Sequence, residues 1–198
     1  MSMRTYLCAI LMLLAAPMSG SAQQPGAWRI TGSAGQTWFG PAAESDGTRF
    51  APSSGFGLGL GISRTLSQWE MGLDLESRPS VLRASDTASV VQIASVSFGR
   101  SSAVLGAARV VGHVDRAAFI AGAGLRTDMW TLSEADNRLR LGGEMRVGLR
   151  LDAGPFRVEN SVRAGMSASP LDAGDLPEGY RKRALRWISV GMTVSVGL

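Results

Sequence analysis

The chain is nearly without three residue types that carry much of protein chemistry. Cys8 is its single cysteine, His113 its single histidine and Lys182 its single lysine among 198 residues. One cysteine excludes an internal disulfide. One histidine leaves a metal centre or a Ser-His-Asp site dependent on His113 alone, beside Asp115. The stretch GFGLGLG (55–61) has the glycine spacing of a dinucleotide fingerprint, but lacks the following helix and the distant acid that would support it. No cofactor and no metal are expected, and no catalysis. Arginine supplies almost all the positive charge, 20 Lys+Arg against 16 Asp+Glu. It is scattered among the acids without a basic block, which argues against nucleic-acid binding.

Long apolar runs are also missing. The apolar run from Tyr6 to Met18, with Arg4 before it and Gly20-Ser21-Ala22 after it, reads as a secretory signal peptide. It is too short for a spanning helix. The expected division is 1–22 signal peptide and 23–198 barrel domain. No later segment is long and apolar enough to cross a membrane as a helix.

What is present is alternation. Strands are expected at about 28–39, 55–65, 69–78, 88–100, 117–130, 138–152, 156–168 and 184–198. Long polar loops follow the first, third, fifth and seventh; shorter links follow the second and sixth. The segment SSAVLGAARVVGHVD (101–115) reads either as a long turn with a helical piece or as a continuation of the preceding strand to a tight turn at 113–116. An antiparallel up-and-down transmembrane β-barrel of eight strands is expected, with ten as the alternative.

Each strand presents an apolar and a polar face. In 138–152, Leu139, Leu141, Met145, Val147, Leu149 and Leu151 oppose Arg140, Glu144, Arg146 and Arg150. A soluble barrel would bury the apolar face, and a membrane barrel would turn it outward. The polar face here is Gly, Ser and Thr with isolated Arg and Glu, which suits a narrow lumen. Trp28, Trp38, Phe56, Trp69, Phe98, Trp130 and Phe156 fall near strand ends, where interfacial girdles belong. The expected lumen charge network is Glu70, Asp74, Glu76, Arg126, Arg140, Glu144, Arg146, Arg157, Glu159 and Arg163. In the glycine-rich hairpin, Gly57 is expected opposite Glu76, Gly59 opposite Asp74 and Ser63 opposite Glu70, so that glycines vacate volume for acids. The basic cluster Arg181, Lys182, Arg183 and Arg186 marks a possible lipopolysaccharide contact.

Signal peptide, amphipathic strands, asymmetric loops and a last strand ending at Leu198 together resemble the small outer-membrane β-barrel proteins of the OmpA/OmpX type. Leu198 stands where that family usually has an aromatic residue. The resemblance implies outer-membrane localisation, contact with membrane lipid and the barrel-insertion machinery, and a monomer. The expected role is structural or surface-interacting with a salt-bridged, largely closed lumen. Alternatives are a small channel for solutes or apolar molecules, a lipid-modifying enzyme and a soluble exported ligand-binding barrel.

Overall fold

The computed structural model describes residues 27–86, 89–115, 117–132 and 135–198. The expected signal peptide lies outside the described residues. The chain is built of strands: β1 (Trp28–Phe39), β2 (Ala43–Ser45), β3 (Thr48–Pro52), β4 (Gly55–Leu66), β5 (Trp69–Arg78), β6 (Val81–Ser85), β7 (Val90–Val114), β8 (Ala117–Leu132), β9 (Ala135–Ala153), β10 (Phe156–Ser167), β11 (Arg181–Lys182) and β12 (Leu185–Gly197). Eight of them, β1, β4, β5, β7, β8, β9, β10 and β12, form a closed antiparallel barrel in which β1 pairs with both β4 and β12. The register fixes its geometry. Partners followed from Ile30 through Ile62, Leu73, Leu105, Leu125, Gly143 and Met166 to Arg186 return to β1 at Gly40, ten residues further along. Such a stagger forces the strands to tilt, by roughly 40° in barrels of this kind.

The wall has its apolar face outside. Leu60 is 70% exposed, Leu125 73%, Leu141 71% and Met145 68%, while arginines and carboxylates are buried within. Burying the charges and exposing the leucines is the reverse of a water-soluble barrel. Trp28 and Trp38 stand at the two ends of the outward face of β1. Ten residues separate them, about 33 Å along the strand and about 25 Å along a tilted axis, the height of a membrane barrel's apolar band.

Three expectations change. First, the fourth wall strand is not 88–100. Residues Phe98–Val114 of β7 form the wall, pairing β5 and β8, whereas 90–97 pair with β6 above it. The segment 101–115 is therefore a strand running to the turn at Asp115, and the count stays at eight. Second, the fifth loop contracts, because β8 and β9 continue to Leu132 and Ala135. Third, the glycine hairpin is shifted by two residues: Gly59 pairs with Glu76, Gly61 with Asp74 and Thr65 with Glu70. Leu66 pairs directly with Trp69 around a two-residue turn, made possible by the positive φ of Ser67 (57°). The expected register left a four-residue link there.

On the loop side, β11, β2, β3, β6 and the upper part of β7 form a second, extramural sheet. It leans over the barrel mouth, where Ala42, Ala43 and Leu171 join a buried apolar cluster.

Candidate functional site: the lumen and its two ends

The shifted hairpin still answers why β4 alternates glycine. A Cβ at Gly57 would meet the Arg78 guanidinium at 2.8 Å, and one at Gly59 would meet Glu76 Cγ at 3.3 Å. One at Gly61 would land on the Asp74 carboxylate. Asp74, Glu76 and Arg78 of β5 thus occupy the space that glycines of β4 leave open.

Arg126 is the hub of the lumen. Its side chain is buried, with Nε 2.7 Å from Asp128, Nη1 2.6 Å from Glu144 and Nη2 2.8 Å from Glu76. Arg163 joins the same group, 2.8 Å from Glu76 and 3.7 Å from Glu144. Ser102 donates its hydroxyl to Asp128 at 2.6 Å. Nearer the tight turns is a second group. Arg157 contacts Glu70 and lies 2.8 Å from Asp152. Arg150 lies 3.1 Å from Glu70 and 3.2 Å from Glu159, and Arg146 reaches Glu159 at 3.7 Å. In a low-dielectric interior these pairs are needed, since each unpaired ion would cost several kcal/mol.

Two of the expected lumen residues behave differently. Arg140 is not part of the interior network. It donates to Ser169 O at 2.6 Å and to Asp172 Oδ1 at 2.8 Å, at the mouth, where it holds the 168–184 loop. Asp74 is inside, but it accepts from the Thr31 hydroxyl at 3.3 Å, and among the described residues no arginine reaches it at ion-pair distance. Sequence reasoning omitted Arg29, Arg78, Arg100, Asp128 and Arg150 from the network. The signal for them was present: all have inward parity on their strands.

Above Arg126 the lumen changes character. Phe39, Phe98, Trp130, Leu185 and Trp187 form a buried cluster. Phe98 and Trp130 were expected in the outward girdle; both are instead 0% exposed inside the mouth. Their parity is that of Arg126 and Asp128, so they fill the lumen rather than face lipid. Trp187 lies against two cations, with the Arg126 guanidinium 4.8 Å and the Arg100 guanidinium 5.5 Å from its ring. Arg100 also stacks on Phe39 at 4.9 Å and Trp130 at 5.7 Å. Gly165 sits directly opposite Trp187, and a side chain there would collide with the indole. The voids left in the lumen measure about 30 Å³ and about 20 Å³, room for one or two waters each.

Outside the mouth, Arg138 and Asp175 form a two-pronged ion pair that fastens the same loop as Arg140. The Arg138 hydrogen bond holds the Asp175 carboxyl below the ordinary aspartate range, and the reciprocal bond raises Arg138. Of the basic cluster, Arg181 and Lys182 pair with β2, and Arg183 is ion-paired to Glu44. Arg186 is exposed, with the outward parity of Ile188 and Val190.

No family model matches the chain, and no curated protein matches it. Its fold is similar to the crystal structure of Neisserial surface protein A (NspA), with TM-score 0.59 at 11% identity over 87% of this chain and 97% of that one. It is similar as well to the outer membrane protein AlkL, solved by solid-state NMR in DMPC lipid bilayers, with TM-score 0.60 at 14% identity over 92% of this chain and 94% of that one. The fold is that of the small eight-stranded outer-membrane β-barrels.

Proposed function

We propose that the chain is an integral outer-membrane barrel with a structural or surface-interaction role, closed to solutes and without catalytic activity. One observation carries the reading: the apolar wall is turned outward around a lumen filled by ion pairs and capped by Trp187, Phe39 and Trp130. Such a wall is stable only where lipid replaces water around it. The filled lumen offers no path wider than isolated waters. The tight turns face the periplasm and the loops with the extramural sheet face outward, following the loop asymmetry of such barrels. Outer-leaflet lipopolysaccharide phosphate meets the loop-side rim at Arg186 and Lys182, with Arg181 and Arg183 beside them. The barrel acts as a monomer, and the insertion machinery places it.

The test has two arms. The membrane-fraction protein is expected to migrate faster unheated than boiled and to resist carbonate extraction; release by carbonate would sink the membrane reading. In planar bilayers the purified protein is expected to give no stepwise conductance. Steady single-channel openings would replace the closed reading with a channel. Orientation is read from single cysteines: Asp46→Cys is expected to react with an impermeant maleimide on intact cells, and Ala153→Cys only after the outer membrane is breached.

A further inference from the structure

The outward wall is apolar, and a charge on it stands out. Two arginines, Arg64 of β4 and Arg109 of β7, are exposed on the outer face near the tight-turn rim. Each lies over an outward tryptophan: Arg64 is 5.4 Å from the Trp28 ring and Arg109 5.9 Å from the Trp69 ring. Gln68 in the adjacent turn accepts from Arg109 Nε at 3.2 Å and Nη2 at 2.7 Å, which fixes the direction of the guanidinium.

The register puts these residues side by side. Arg64 pairs with Met71, and Trp69 of the same strand pairs with Arg109. The two arginines therefore flank β5 on a diagonal, two strand spacings across and two residues along, about 12 Å apart at the backbone. Between them β5 turns Trp69 and Met71 outward, both about half exposed. The rest of this rim is different. At the same level, β8, β9, β10 and β12 turn Phe119, Leu151, Val158 and Val196 outward. Among the described residues, the outward positions at this level thus carry charge on one side of the barrel only.

We propose that this side binds the phosphate headgroup of an anionic phospholipid of the inner leaflet, held between Arg64 and Arg109 with its acyl chains along the apolar wall. The proposal rests on the membrane orientation given above. An arginine at the membrane midplane is strongly unfavourable, but at the interface it costs little and can meet lipid phosphate. The stacked tryptophans hold both guanidinium groups at that level. Lipopolysaccharide is not the ligand, because this rim is the one opposite the loops.

The probe is phosphatidylglycerol, compared with phosphatidylcholine, added to the purified protein in detergent and followed by native mass spectrometry. The wild type is expected to retain phosphatidylglycerol over phosphatidylcholine. The pair Arg64→Gln/Arg109→Gln is expected to lose about fivefold in affinity per arginine, about 25-fold together. Arg64→Lys/Arg109→Lys restores most of it, and Arg181→Gln/Lys182→Gln/Arg186→Gln at the other rim changes nothing. Equal retention of the two lipids, unchanged binding by the glutamine pair, or a loss that follows the opposite-rim triple would each overturn the proposal. Heat-modifiable migration is checked for every protein. Its absence in the wild type would strike at the membrane reading itself, while its presence with unselective lipid binding removes only the lipid site.

Discussion

The two halves of the lumen are held by different physics. On the tight-turn side the interior arginines Arg146, Arg150, Arg157 and Arg163 meet carboxylates, with Arg126 as the hub at the boundary. On the loop side, Arg100 is 2% exposed and lies against three aromatic rings, and the seal is apolar and aromatic. Trp187 is the partition, touched from both groups. One half should therefore respond to the loss of single charges, and the other to the loss of volume.

The sharpest way to break this contrast is at the hub. Arg126→Ala leaves Glu76, Asp128 and Glu144 competing for Arg163 and Ser102. A loss of about 5 kcal/mol is expected, the upper end for removing one partner of a buried ion pair. Denaturant midpoints in detergent measure it, with Glu44→Leu on the extramural sheet as the reference. Equal midpoints would show that the network contributes no more than a surface pair.

Trp187→Ala probes the other half by volume. About 4 kcal/mol of destabilisation is expected from the cavity, together with intermittent conductance, against none expected for the wild type. Conductance in Arg126→Ala but not in Trp187→Ala would reverse the roles assigned to the two halves.

A third substitution tests whether either half matters more than the wall around them. Val147→Arg, at mid-height on the outward face of β9, should cost about 3 kcal/mol, and Leu151→Arg near the rim under about 1 kcal/mol. The same ordering in vesicles and in detergent supports a lipid-facing wall. Greater damage at the rim would contradict it.

The smallest effect lies outside the lumen, at the Arg138–Asp175 clamp. Asp175 is held below its ordinary range, so its contribution is present at neutral pH and is lost as pH falls through that lowered value, below about pH 4. Arg138 is shifted upward, and its share would be lost only at alkalinity beyond the working range. Hydrogen exchange at the backbone amides of Asp172 and Leu176 should accelerate as pH falls below about 4, beyond the intrinsic trend, and Asp175→Asn should remove the change. A flat profile in the wild type would dissociate the loop from the clamp.

Much of this was legible because strand parity is strict. In β9 and β10 the alternation of leucine or valine with arginine or glutamate assigned both faces before any contact was known. It failed where contrast failed. Residues 101–115 carry Ala103, Gly106, Ala107 and Ala108 on both faces, and a bulge between Val110 and Gly112 reverses the parity near the turn. The β4–β5 register depended on Ser67 taking a positive φ, which its residue type does not announce. Phe98 and Trp130 were misplaced because an aromatic near a strand end fits a girdle as well as a plug, and only their parity with Arg126 distinguishes the two. Arg140 has lumen parity too, but β9 continues past the mouth, so height along the strand, not face, removed it from the network.

The length of β7 has a mechanical consequence. Its 25 residues run without a break from the extramural sheet to the tight turn beneath the barrel. A tether pulling on that sheet would draw β7 along its own axis. The ladders to β5 and β8 would then be strained in shear, with many hydrogen bonds resisting at once, instead of being peeled open bond by bond from the mouth. The short strands β2, β3 and β11 would tear away first. What stayed attached to the cell would be a stiff ribbon of about 80 Å, anchored through the whole height of the wall.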